Sequence, residues 1–225
     1  MRKRQWLKIG LVALVVLVLF LIVAQRDRGP VVDGRPLEEW VQDLLVTADP
    51  ERRVPAQSAV AQLGTNAIPW LRISLRHSDP VWKQPLLSTV NKMPGIDRQD
   101  LLRWVNLYER SEIRAGGAAG LAVLGQAAAP AIPDLVESLG DREHLVWNNS
   151  LATLRGLGSL PLREITNRLN KTEGGHRMRM LHVLRNMKSD AAAAAPALVD
   201  IIEAKPGSDE AAAAVAALAM MGHRA

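Results

Sequence analysis

The stretch from Asp49 to Leu71 reads DPERRVPAQSAVAQLGTNAIPWL, and its pattern indicates two short helices joined by a tight turn. Asp49 is suited to cap a helix and Pro50 to occupy its first position, so a helix is predicted over 50–63. Gly64 is predicted to end it, because glycine readily adopts the conformation that follows a helix C-terminus. A second helix is predicted over 67–76, with three residues on its buried face: Ile68, Leu71 and Leu75.

The turn after the first helix recurs every 30–34 residues along the chain. The six equivalent positions are Gly64, Pro94, Gly125, Gly158, Lys188 and Gly222. The residues one position earlier are Leu63, Met93, Leu124, Leu157, Met187 and Met221, and those four positions earlier are Val60, Val90, Leu121, Leu154, Leu184 and Leu218. Residues three to four apart share one helix face, so each unit is predicted to bury the same ridge. Such a period is typical of stacked helical repeats.

The spacing predicts five helix pairs and a final single helix. After the first pair, the predicted helices are 81–93 and 98–108, 112–124 and 129–139, 143–157 and 162–169, 176–187 and 191–202, and 209–221. A helix over 37–46, with Leu37, Trp40, Val41 and Leu44 on one face, is predicted to cap the array. No segment shows sustained alternation of β-branched residues, so no strands are expected.

The units resemble HEAT repeats. The resemblance is carried by residues 49–71, by the second-helix openings 126–135 and 193–198, and by Gly34-Arg35-Pro36-Leu37-Glu38-Glu39-Trp40, which resembles the segment before the arrays of bacterial membrane-anchored HEAT proteins. It covers 34–225 and implies an all-α solenoid, a right-handed superhelix of helix pairs. The short period resembles bacterial HEAT-like repeats, and the units ending at Pro94 and Lys188 lack the terminal glycine.

An apolar run from Ile9 to Ala24 lies between basic residues at the N-terminus. Extended to Trp6, it comes to roughly 28 Å as a helix, close to the thickness of a bilayer core. We therefore predict a transmembrane anchor within 1–28, a linker over 29–36 and a repeat domain over 37–225. The alternative is a signal peptide cleaved after Ala24, although Ile22 is bulky where such sites prefer small residues.

The distribution of charge bears on both topology and partners. The N-terminal 28 residues hold the whole net charge of +5, whereas the body carries 22 basic and 22 acidic side chains. The excess of basic residues before the apolar run predicts a cytoplasmic N-terminus and an extracytoplasmic, in a bacterium periplasmic, repeat domain. The residues after the N-terminal segment have no net charge, and they therefore lack the excess of basic residues that is typical of nucleic-acid-binding proteins. The absence of cysteine excludes disulfides, thiolate catalysis and cysteine-based zinc sites.

No constellation in the sequence indicates catalysis, a metal or a cofactor. His176 and His182 lie six residues apart, whereas helical metal pairs use spacings of three or four. No His-Glu dipeptide occurs, which argues against the di-iron HEAT-repeat hydroxylases. Two further resemblances stay open as alternatives: short HEAT-like bilin lyases, implying an enzyme-associated module, and HEAT-like DNA glycosylases, implying nucleic-acid binding.

The function predicted is therefore a non-enzymatic scaffold that binds a protein partner. Second helices line the concave side of such arrays, and the candidate contacts chosen by position are Arg72, Arg76, Arg103, Asp134, Glu137, Arg168 and Glu203. A basic cluster over 163–188 is interpreted as a solvated helix face, with an anionic partner as the alternative. Ile68 and Leu71 are predicted to fill the buried face of the helix that contains Trp70. Trp70 is therefore the tryptophan to consider as a ligand contact rather than a core residue.

Overall fold

The structure, a computed structural model, describes residues 28–45, 49–77 and 110–222. Residues 29–77 together with the chain from Arg110 onward form one compact unit. The predicted membrane segment and the predicted helices 81–93 and 98–108 lie outside the described residues, as does candidate contact Arg103.

Ten α-helices occupy the described part of the chain. They are α1 (Leu37–Leu45), α2 (Pro50–Leu63), α3 (Ile68–Leu75), α4 (Arg110–Leu124), α5 (Ile132–Ser138), α6 (His144–Gly156), α7 (Leu162–Leu169), α8 (Gly174–Met187), α9 (Ala195–Ala204) and α10 (Asp209–Met221). Three 3-10 segments, Gly64–Ala67, Gly125–Ala131 and Lys188–Ala194, join first helices to second helices. The helical prediction is confirmed in these ranges, and α2, α7 and α10 have the predicted bounds.

Capping residues explain where the helices begin and end. The Asp49 carboxylate accepts hydrogen bonds from the backbone N–H groups of Glu51 and Arg52, at 3.0 and 3.4 Å. Gly64 ends α2 in the left-handed region, at a φ of 55°. The second helices α5 and α9 begin three and four residues later than predicted, because a proline occupies the first turn of each and the preceding residues form a 3-10 segment.

The helices form two layers. Successive first helices α2, α4, α6, α8 and α10 pack side by side, and we call them the first-helix layer. Helices α3, α5 and α7 follow one another beside it and continue to α9, and we call these four the second-helix layer. Each unit buries its apolar ridge against its neighbours, which makes the described part of the chain a mostly helical repeat solenoid.

The first and third predicted units pack directly on each other. Helix α4 lies against α1, α2 and α3, and α5 lies against α3. Helices α3 and α4 touch at backbone distance, so the two units are in direct contact although the predicted helices 81–93 and 98–108 lie between them in sequence.

Glycines in α4 permit this close approach. A Cβ added to Gly117 would lie 2.9 Å from the Leu71 carbonyl oxygen and 3.1 Å from the Leu75 backbone nitrogen. A Cβ on Gly116 would lie 2.9 Å from Cγ2 of Val41. Gly116 and Gly117 therefore serve the close packing of α4 on its neighbours.

The predicted ridge forms the core of the inner units. The residues four positions before the recurrent turn are fully buried in α2, α4, α6 and α8: Val60, Leu121, Leu154 and Leu184. In α10 the equivalent Leu218 is only half-buried. The ridge therefore continues through the stack and opens at its last helix.

A short hairpin precedes α1, although the sequence pattern predicts no strands. Val31–Val32 pairs antiparallel with Arg35–Pro36, and Asp33 and Gly34 form the turn with positive φ angles of 50° and 76°. Asp-Gly is a favoured pair for such turns, so the signal was present in the sequence. The Trp40 indole donates a hydrogen bond to the Val32 carbonyl oxygen at 3.1 Å, so the predicted linker is folded onto α1.

By length and composition, Ser111–Ser138 could cross a membrane. It is divided between α4, a 3-10 segment and α5, and 44% of its most apolar window is buried inside the protein. Its apolar character is explained by the central position of α4 in the stack.

Candidate binding surface on the second helices

The second-helix layer brings together most of the residues chosen as candidate contacts. Arg72 and Arg76 lie at the end of α3, Asp134 and Glu137 lie in α5, and Arg168 lies in α7. Glu203 lies apart from them in α9 and is exposed. The first five are not free contact groups, because they pair with one another across the boundaries between units.

Asp134 is the centre of the first pairing. Its carboxylate accepts a hydrogen bond from Nε of Arg72 at 2.5 Å, and a second one from the Arg76 guanidinium. The Asp134 side chain is 2% exposed, so it cannot contact a partner, and its selection as a contact residue is wrong. The reason is that α5 packs beside α3, which places Asp134 beneath two arginines.

Arg168 makes the second pairing. It bridges Glu164 in its own helix and Glu137 in α5. Burial lowers the pKa of Arg168, but the hydrogen bonds to both carboxylates outweigh it, so its pKa is raised above the ordinary value. Glu137 remains 71% exposed on its outer side. This pair therefore joins α5 to α7 while leaving a carboxylate at the surface.

A stripe of exposed residues runs along the outer face of the second-helix layer. Residues four and seven positions apart, which share a helix face, are exposed in α3, α7 and α9: Pro69, Ile73 and Arg76; Arg163, Asn167 and Asn170; Pro196, Asp200 and Glu203. We call this set, with Glu137 of α5, the outer stripe. Ile73 is 62% exposed, which is unusual for isoleucine in a helix.

The outer stripe was only partly recognised from the sequence. Ile73 was overlooked because its neighbours Ile68, Leu71 and Leu75 belong to the core, and an isoleucine among them resembles a core residue. The register supplied the missing signal, since Asn167 and Asp200 occupy the equivalent place in α7 and α9.

The basic cluster over 163–188 does not form one continuous patch. Arg177 is buried, and it donates to the Leu169 carbonyl oxygen at 3.1 Å and to Glu210 at 2.8 Å. Arg179 donates to the backbone oxygens of Leu139 and Asp141 and covers the Trp147 ring. With Arg168 also paired, three of the seven cations hold neighbouring units together, and the others are exposed on different layers.

Trp70 and His176 have structural roles in packing and hydrogen bonding. Trp70 is 8% exposed and lies against Gly29, so it belongs to the core rather than to a ligand site. The His176 ring hydrogen-bonds to the Val136 carbonyl oxygen at 2.8 Å. Within residues 28–45, 49–77 and 110–222, no group of three acidic or histidine side chains is placed to hold a metal.

Comparison with known proteins gives little similarity. No family model matches the chain, and no curated protein matches it. Among solved structures, the chain is similar to a designed armadillo repeat protein in complex with the peptide (KR)4, at 15% identity and a TM-score of 0.32. That match covers 82% of this chain and 99% of the designed one. The solenoid architecture rests on the helix packing described above.

Proposed function

We propose that this protein is a HEAT-like scaffold tethered to a membrane, and that it binds a protein partner along the outer stripe. The observation that supports it most is the arrangement of the second helices. They present exposed residues at equivalent positions, and ion pairs that span two units fix their spacing. A repeat array with fixed spacing offers an extended surface on which a polypeptide can make successive contacts.

The chemistry of the outer stripe suits a protein rather than a nucleic acid. It begins with Ile73 and Arg76, passes Asn167, and ends with the acidic Asp200 and Glu203. A surface of mixed charge that includes an exposed aliphatic side chain is typical of protein interfaces, whereas nucleic-acid surfaces are uniformly basic. The neutral charge of the body supports the same choice.

Site-resolved photo-crosslinking tests the binding surface. A photoreactive phenylalanine analogue replaces Ile73 or Asn167 in the full-length protein, and Gln57, exposed in α2, is the matched control. We expect one partner to be captured from native membranes by both outer-stripe positions and not by Gln57. Equal capture from all three positions would contradict the proposal.

The membrane tether is supported by the apolar run 9–24 and by the charge difference across it. Protease added to spheroplasts should digest the repeats while a cytoplasmic marker stays intact. Protection of the repeats would reverse the topology, and a mature protein starting at Gln25 would replace the anchor with a cleaved signal peptide.

A further inference from the structure

Lys188 occupies a backbone conformation that glycine adopts at the equivalent positions of the first, third and fourth units. Its φ and ψ are 53° and −131°, nearly those of Gly64 at 55° and −134°. The equivalent Gly125 and Gly158 also have positive φ angles, 54° and 63°. A side chain in this region is strained, because Cβ crowds the neighbouring peptide groups. The fold would be more stable with glycine here, so packing does not explain the lysine.

Strained backbone conformations persist where the function of a protein requires the residue that adopts them. The charged residues around Lys188 indicate what that function is. Lys188 is exposed at the end of α8, three residues after exposed Arg185. Exposed Arg155 occupies the place equivalent to Arg185 in α6, the helix that packs beside α8. Three cations thus lie at the same end of two adjacent first helices.

These cations have no compensating carboxylate pair. No ion pair joins Arg155, Arg185 or Lys188 to an acidic side chain within the described ranges, unlike Arg168 and Arg177. The exposed Asp190, two residues after Lys188, offsets one of the three positive charges, and a local excess of positive charge remains. Burial lowers the pKa of His182, and the charges of Arg185 and Arg155 lower it further, so their field is felt between the two helices.

An apolar residue accompanies the cations. Leu160 follows Gly158 in the turn after α6, which is equivalent to the turn that contains Lys188, and it is 46% exposed. The corresponding residues after α2 and within the third unit's turn are Asn66 and Ala127. In the fifth unit the corresponding residue is the exposed Asp190, so the exposed aliphatic side chain beside these cations comes from the fourth unit.

We infer that the turns after α6 and α8, with Arg155, Leu160, Arg185 and Lys188, form a docking edge for an anionic phospholipid surface. Basic side chains gain from lipid phosphates, and a neighbouring aliphatic side chain enters the interface between headgroups and acyl chains. Nucleic acid fits less well, because the body as a whole is neutral and residues 155–188, which contain these cations, include no tryptophan, tyrosine or phenylalanine. The inference rests on the proposed function in one respect: the tether keeps the repeats near a bilayer.

The experiment uses the full-length chain, whose lack of cysteine allows a single introduced thiol to be labelled. Ser159→Cys carries an environment-sensitive fluorophore at the docking edge, and Thr65→Cys carries it in the equivalent turn of the first unit. Each protein is incorporated into vesicles of phosphatidylcholine alone or mixed with phosphatidylglycerol. We expect the Ser159 label to move to shorter wavelength only in the mixed vesicles and to return in high salt, while the Thr65 label does not respond.

Variants separate a functional lysine from a structural one. Lys188→Gly should raise the melting temperature by about 2 °C, because strain is relieved, and yet reduce the docked fraction about fivefold. Arg185→Gln should reduce docking similarly, and Arg53→Gln, an exposed cation of α2, should not. Greater stability with weaker docking is a combination that a purely structural lysine would not produce.

Several results would overturn the inference. They are equal Ser159 emission in both vesicle types, unchanged docking of Lys188→Gly, or an equal shift when duplex DNA is added to phosphatidylcholine vesicles. Flotation with phosphatidylcholine vesicles reports the tether separately. A chain that floats only with the anionic vesicles would contradict the tether while supporting the docking edge.

Discussion

Arg72 and Asp134 are 62 residues apart in sequence, and the Arg72 Nε donates to the Asp134 carboxylate at 2.5 Å. This ion pair marks the contact between α3 and α5, which belong to the first and third predicted units. Asp134 is buried and Arg72 is half-exposed. The pair therefore holds α3 against α5, and Arg72 also borders the outer stripe.

Removing the charge of Asp134 should weaken the stack at this contact. Asp134→Asn leaves two guanidinium groups facing a neutral amide, and we expect a loss of about 1–2 kcal/mol in the free energy of unfolding. Glu137→Gln is the control, since its carboxylate is largely exposed and should cost under about 0.5 kcal/mol. Urea unfolding of the full-length protein in detergent measures both. Equal losses of unfolding free energy in Asp134→Asn and Glu137→Gln would contradict the larger contribution expected of the buried carboxylate.

The shared ridge should be essential to the core. Leu121→Asp and Leu154→Asp each place a charge in a fully buried position, and we expect roughly 3–5 kcal/mol of destabilisation or failure to fold. Arg155→Asp, at the exposed neighbouring position, should cost little. Thermal melts followed by circular dichroism measure all three variants. If Arg155→Asp is destabilised as much as the two leucine variants, the assignment of buried and exposed positions in these repeats is wrong.

Gly117 should tolerate no side chain. Gly117→Ala brings Cβ against the backbone of α3, which cannot retreat as a flexible side chain can, and should cost roughly 1–3 kcal/mol. Gly156→Ala, in α6, meets nothing within 4 Å and should stabilise by about 0.5 kcal/mol. In chemical denaturation, the free energy of unfolding should fall for Gly117→Ala and rise for Gly156→Ala. A change of the same sign in both variants would contradict the close contact of α3 with α4.

His182 should make stability depend on pH. Its pKa is lowered in the folded state by burial and by the charges of Arg185 and Arg155, so the unfolded state binds the proton more tightly. Stability should therefore fall as the pH drops below about 6.5, the ordinary value for histidine. His182→Gln should flatten this part of the profile, and Arg185→Gln should raise the His182 pKa in an NMR titration. A wild-type profile identical to that of His182→Gln would contradict the assignment.

The sequence predicted those features that depend on local chemistry. Asp49, Pro50 and Gly64 define α2 because caps and turns act within a few residues, and the buried ridge follows from the helical period. The packing of α4 on α3 could not be predicted this way, because it depends on which distant helix meets Gly117. Nothing in the sequence around Gly117 identifies the helix that it meets.

In the candidate site too, the sequence predicted what depends on local position and missed what depends on long-range packing. Position alone selected Arg72, Arg76 and Asp134 for the second helices, and they do lie there. Their mutual pairing depends on the long-range contact of α3 with α5, so a buried carboxylate was taken for a surface group. The strain at Lys188 was also hidden, because a lysine in place of the recurrent glycine indicated a divergent repeat rather than an unfavourable φ.

The order of the second-helix layer, with α3 beside α5, is the basis of the proposed binding surface. Spin labels on Ile73→Cys and Asn167→Cys in the full-length protein measure it by double electron–electron resonance. Neighbouring helices lie about 8–10 Å apart, so the two helix steps from α3 through α5 to α7 predict a separation near 20 Å. A separation near 30 Å would place another helix between α3 and α5 and contradict the account.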